Sequence, residues 1–179
     1  MKKLFLVGIM AFLFQGMMMG QDQEISHKFG IGFQLNQFQK DFGLGINVTS
    51  PYFAGKHVAI RLRANYMYFE HINDAKTIWS PYTNVSLGVI GVAGTICDFI
   101  QLYGEGGFIG LLPSDKFSSE NFVLGGYGIF GFEFYLQKNF NYFIELGGIG
   151  TGATADKLIN KPTYSNGFMI STGLRIQLK

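Results

Sequence analysis

The chain is short of charge, of cysteine and of proline. Charged residues make up 15% of its 179, against about 25% in ordinary soluble domains. Its one cysteine, Cys97, rules out an intramolecular disulfide, and the scattered histidines His27, His57 and His71 leave no metal-ligand spacing, so neither a metal nor a cofactor is expected. No Lys/Arg-rich patch or acidic tail is present, which argues against a nucleic-acid partner. Beyond the N-terminus no run approaches the roughly 18 apolar residues a membrane helix needs. Proline is scarce, 4 residues against 25 glycines. What the chain has in excess is aromatic side chains, 16% with 19 Phe and 9 Tyr. That excludes disorder, because disordered chains are aromatic-poor and charge-rich.

The N-terminus reads as an export signal. Lys2 and Lys3 form a positive start, and Leu4 to Phe14 is an apolar core of the length a signal peptide uses and too short for a spanning helix. Gly16 and Gly20 follow, then Gln21-Asp22-Gln23-Glu24. Cleavage is expected near Gly20, although Met18 stands where a small residue is usual. The organisation is then a signal peptide over 1–20 and one domain over 21–179. Losing Lys2 and Lys3 takes the 14 basic residues to 12, equal to the 12 acidic ones, so the mature chain is neutral.

From about Ser26 one theme repeats eight times: ten or more residues alternating apolar with small or polar, then a turn. The segments run from about Ser26 to Gln37, Lys40 to Thr49, His57 to Glu70, Pro81 to Ala93, Phe99 to Leu111, Phe122 to Gln137, Phe140 to Thr151 and Gly167 to Leu178. In the first, Phe29, Ile31, Phe33 and Leu35 oppose Lys28, Gly30, Gly32, Gln34 and Asn36. In the third, Val58, Ile60, Leu62, Ala64, Tyr66 and Tyr68 oppose Arg61, Arg63 and Asn65. The length matches the roughly 9–11 residues of a tilted strand crossing a bilayer. Short connections near Pro51, Thr95 and Asn139 alternate with longer loops, among them one through Asn73-Asp74, as in a barrel with short periplasmic turns.

The composition of the second face says which face is out. It is Gly, Asn, Ser, Gln and Thr with few Lys, which suits a crowded lumen better than a water surface. The other face is Phe, Leu and Ile, a hazard in water but suited to acyl chains. Tyr66, Tyr68, Trp79, Phe122 and Phe168 fall near one set of strand ends, and Tyr52, Phe134, Tyr135, Phe140 and Tyr142 near the other, as two aromatic girdles. The expected fold is all-β: an eight-stranded antiparallel up-and-down transmembrane barrel in the bacterial outer membrane.

All three arginines, Arg61, Arg63 and Arg175, take the lumen parity, as do three of the six glutamates, Glu105, Glu133 and Glu145. Each lies near a periplasmic strand end, so the six are expected in one layer. An eight-stranded lumen is just wide enough for side chains to fill. Unpaired charge there is costly, so mutual pairing is expected. The network reads either as a plug that fills the lumen or as a charge gate in a narrow pore.

Other chemistry has weaker support. Paired carboxylates suit glycoside hydrolysis, but no open groove is indicated and the arginines would keep both ionised. His71, Asp74 and Ser80 share the neighbourhood of one loop, where a barrel-mouth lipid enzyme would carry its residues, but no tight motif joins them. Gly104-Glu105-Gly106-Gly107 lies within a strand with no helix to follow, so it is no phosphate loop. Cys97 reads as a small buried or turn residue.

The last segment, Ser171-Thr172-Gly173-Leu174-Arg175-Ile176-Gln177-Leu178, resembles the C-terminal β-signal of outer-membrane proteins. Ser171, Gly173, Ile176 and Leu178 match its pattern; Leu178 stands where an aromatic is usual, and Lys179 extends beyond it. The chain after the signal is similar to the small outer-membrane β-barrel families, including the OmpA-like transmembrane domain. The resemblance implies insertion by the barrel-assembly machinery, surroundings of outer-membrane lipid and lipopolysaccharide, and a monomer. A structural or loop-binding role and no enzymatic activity are the expectation, with a narrow channel and a lipid-modifying enzyme as alternatives.

Overall fold

Each backbone of a long alternating segment needs a hydrogen-bonding neighbour on both sides, and only a closed ring supplies both to every strand. The computed structural model describes residues 28–73, 76–97 and 99–178, and its eight antiparallel strands form such a ring. They are β1 (Gly30–Phe38), β2 (Asp41–Thr49), β3 (Val58–Asn73), β4 (Lys76–Ile96), β5 (Ile100–Leu112), β6 (Val123–Gln137), β7 (Phe140–Gly150) and β8 (Gly167–Gln177). Each pairs with the next, and β1 closes on β8 from Gly30↔Gln177 to Phe38↔Met169. The eight-stranded up-and-down topology expected from the sequence is the one observed. The signal segment, His27 and Asp74 lie outside the described residues.

Connections 50–57 and 138–139, with the ends of β4 and β5 that face them, mark one rim, here the turn rim; 39–40, 113–122 and 151–166, with the facing ends Asn73 and Lys76, lie at the other, the loop rim. Burial alternates along β1 and β2 without a break. The outward set is apolar and open: Leu62 is 48% exposed, Leu87 54% and Phe108 70%. The inward set holds every arginine. The barrel is therefore inverted relative to a water-soluble one. Among the described residues no helix is long and apolar enough to cross a membrane, a finding that leaves crossing by strands untouched.

Four local expectations are corrected. Where a wide loop was expected between Glu70 and Pro81, pairing of β3 with β4 continues to Asn73↔Lys76. Pro81 does not begin β4 but sits inside it opposite Tyr68, above Thr83, where β5 pairing starts. A missing N–H is tolerated on such an unpaired edge. Two girdle residues turn inward. Tyr135 is buried and donates to Gln101 Oε1 at 3.2 Å, and Tyr52 packs beneath Ala59, Ile90 and Tyr103. Register shifts at Val92/Gly94 and at Tyr135/Gln137 adjust β4 and β6 at the turn rim. Cys97 is an exposed turn residue with φ of 52°.

Candidate functional site

The lumen is filled in three layers, and each follows from what the inward residues of neighbouring strands can do at that height. Toward the turn rim, above the small cluster of Ala59, Ile90, Tyr103 and Tyr52, is an ionic layer. Arg61 and Arg63 stand two apart on β3, so both point inward on one strand. Glu105 of β5 and Glu145 of β7 reach them across the lumen. Arg61 Nη1 donates to Glu105 Oε2 at 2.8 Å and to Glu145 Oε1 at 2.9 Å. Arg63 grips both carboxylates: Nε and Nη2 meet Glu105 at 3.1 and 2.5 Å, and Nη1 and Nη2 meet Glu145 at 2.6 and 3.1 Å. Arg175 of β8 pairs separately with Glu133 of β6, at 2.5 Å, and Arg175 Nη2 lies 4.0 Å from Glu145 Oε1. The six charges thus form a four-membered cluster and a pair beside it, all with 4% exposure or less.

Aromatic side chains buttress these charges. Tyr103 donates to Glu145 Oε1 at 2.5 Å, and Tyr127 to Glu105 Oε1 at 2.7 Å. The Arg175 guanidinium lies 4.5 Å from the Phe143 ring centre, a cation–π distance. Two glycines make the tyrosines possible. A Cβ at Gly131 would strike the Tyr103 ring, and one at Gly88 the Tyr127 hydroxyl. Gly88→Ala is expected to push that hydroxyl off Glu105 and lower unfolding free energy by about 1–3 kcal/mol, read from the urea midpoint in lipid vesicles. An unchanged midpoint would mean the hydroxyl contributes nothing.

Above the ions lies an amide layer. Asn47 Nδ2 donates to Gln34 Oε1 at 2.8 Å, and Gln34 Nε2 to Asn65 Oδ1 at 2.8 Å. Asn65 Nδ2 donates onward to Asn84 Oδ1 at 2.7 Å, and Ser171 Oγ to Asn36 Oδ1 at 2.7 Å. Arg175 Nε joins the two layers through Asn47 Oδ1 at 3.2 Å. A void of about 10 Å³ opens at the top of this layer, between Asn65, Ser86, Tyr127, Ile109 and Met169. That is room for about one water molecule.

The third layer, at the loop rim, is apolar. Phe38, Met67, Phe69, Tyr82, Leu111 and Met169 point inward from the wall. Phe117 of the β5–β6 loop and Tyr164 of the β7–β8 loop descend among them, with ring centres 5.0 Å apart and 5.3 and 5.5 Å from Phe69. This layer is only half legible in the sequence. Its wall half had a signal, since the lumen parity turns apolar at the same end of β1, β3, β5 and β8. Its loop half had none.

The remaining candidates are dispersed. His71 is a strand residue stacked on Phe69 at 5.4 Å, with Nδ1 3.5 Å from the Phe69 carbonyl oxygen. Ser80 is buried on β4. Among the described residues no group of His, Cys, Asp and Glu is arranged to hold a metal. In the last strand, Ser171 is buried and faces the amide layer, Gly173 packs against the β1 backbone, and Ile176 and the following Leu178 face out.

A closed eight-stranded ring with an apolar exterior and a filled lumen is the fold of the small outer-membrane β-barrels. Solved structures agree. The N-terminal β-barrel domain of Pseudomonas aeruginosa OprF is similar with a TM-score of 0.57 at 15% identity, over 87% of this chain and 100% of that one. The outer membrane protein OprG of Pseudomonas aeruginosa gives 0.53 at 12%, over 88% and 99%. No protein-family model matches the chain, and no curated protein is significantly similar in sequence.

Proposed function

We propose that this chain is an outer-membrane protein whose barrel is a closed scaffold, with the turn rim in the periplasm and the loop rim outside. The observation that carries this is the stack of ionic, amide and apolar layers. Each would have to open before a solute could pass, and they differ in chemistry, so no single stimulus opens all three. A structural or loop-binding role follows, without catalysis. The exterior band is suited to lipid and lipopolysaccharide, and Ser171, Gly173, Ile176 and Leu178 are offered to the assembly machinery as its recognition segment. The competing reading is a narrow channel gated by the arginines and glutamates. Single-channel recording in planar bilayers separates the two. A scaffold is silent; repeatable conductance that changes on substituting Arg61 or Glu105 would establish the channel instead.

A further inference from the structure

The two long loops share more hydrogen bonds with each other than with the wall. Ser119 N donates to Asp156 Oδ1 at 2.7 Å, and its hydroxyl to Asp156 Oδ2. Lys157 Nζ reaches the Asp115 carbonyl oxygen at 2.8 Å, and Lys157 N the Phe117 carbonyl oxygen at 3.2 Å. Ser118 Oγ lies 3.5 Å from Thr154 O. These are contacts between loops far apart in sequence, so 113–122 and 151–166 make one cap. Ser119 holds the Asp156 carboxyl below its ordinary range. A lowered carboxyl contributes above its unfolded value and is lost only as acid carries the pH through the folded one, so the stitch is intact at neutral pH.

The tie from cap to wall is of another kind. Among the described residues it runs through Asp41, at the loop-rim end of β2. Asp41 Oδ2 accepts Ser165 N of the cap and the Tyr82 hydroxyl of the wall, both at 2.6 Å. Asp41 is 1% exposed. The stems of the β7–β8 loop turn through positive φ at Gly152 (66°), Ser165 (48°) and Gly167 (96°). Turning of this kind at the ends of a loop is where a hinge absorbs its rotation. The rest of the attachment is apolar, Phe117 and Tyr164 seated in the cup of Phe69 and Tyr82.

We infer that the cap is a lid that lifts as one body about the stems of both loops, with Asp41 as its catch. Lifting withdraws Phe117 and Tyr164 and exposes an aromatic cup to the outside, while the amide and ionic layers below stay shut. The lid therefore governs exposure of the aromatic cup, and lifting it alone opens no path through the barrel.

Labelling of buried positions under each loop tests this. In full-length protein carrying Cys97→Ser, folded into vesicles, Leu111→Cys reports the wall under the β5–β6 loop and Met169→Cys the wall under the β7–β8 loop; both residues are buried in the apolar layer. Maleimide labelling is expected to be slow at both. Adding Asp41→Asn should speed both by the same factor, about tenfold or more, as loss of a charge-assisted hydrogen bond implies. The heat-modifiable mobility of the folded barrel should persist. Unchanged rates in a folded Asp41→Asn protein, or a rise at one loop only, would overturn the lid. If Asp41→Asn does not fold, Asp41→Glu keeps the charge but shifts it off Ser165 N and should give a smaller rise at both positions; no rise there overturns it equally.

Discussion

Replacing Arg63 with alanine is expected to lower the unfolding free energy of the barrel by about 3–5 kcal/mol, the cost of stripping a buried charge of its partner. Arg63 is the hub of the ionic layer. Its three nitrogens hold both oxygens of Glu105 and both of Glu145. Without it the two carboxylates share Arg61, which offers each one contact, from the same Nη1. Both carboxylates are closed off from solvent, so the only replacement for the lost donors is what fits the space Arg63 leaves. Arg63→Lys should recover only part of the loss, since an ammonium cannot make the forked contact. Arg63→Ala combined with Glu105→Gln should be less damaged than the sum of the single changes, by roughly 1–3 kcal/mol, because the second change removes a charge the first left unpaired. Urea unfolding from vesicles, followed by fluorescence of the single tryptophan, Trp79, measures all four. A midpoint unchanged in Arg63→Ala would dismiss the network as a source of stability. No pore is expected in any of these variants, as the amide and apolar layers stand above the change.

An arginine on the opposite face should cost nearly as much for a different reason. Leu87 lies on the outside of β4, level with Leu62 and Phe108 on its neighbours and 54% exposed. In a bilayer that is near mid-depth, where arginine costs about 2–4 kcal/mol, while at the interface the same change costs about 0–1. Leu87→Arg should therefore destabilise strongly, and Leu112→Arg, at the loop-rim end of β5, hardly at all. In water both would be surface changes worth within about 0.5 kcal/mol. Equal, small effects at both positions would remove lipid from the account of this surface.

How much of this was legible depends on whether a residue's place is set by period or by meeting. A strand turns alternate side chains to opposite faces, so the parity of Arg61, Arg63, Glu105, Glu133, Glu145 and Arg175 can be counted along the chain, and their height follows from distance to a turn. Which arginine takes which carboxylate cannot be counted. It depends on the stagger between strands, and that is why Arg175 takes Glu133 while Glu105 and Glu145 go to β3. Tyr135 shows the same limit from the other side. Its aromatic character suggested an interface, while its odd position among Phe134 and Leu136 already placed it inside; parity outranks residue type when a wall separates two solvents.

The sequence by itself determined the strand number, the inside and outside of each strand, and the presence of balanced charge in the lumen, because period 2 and composition are local properties that ring closure preserves. Tertiary structure alone decided the division of the charges into a cluster and a pair, the long β3–β4 hairpin, and the apolar cap. Phe117, Tyr164 and Asp156 sit in loops with no period, and Asp41 acquires its role only where Ser165, 124 residues away, folds back onto it. Contacts of that range are set by closure of the barrel, which brings the rims of distant strands together, and no local pattern records them.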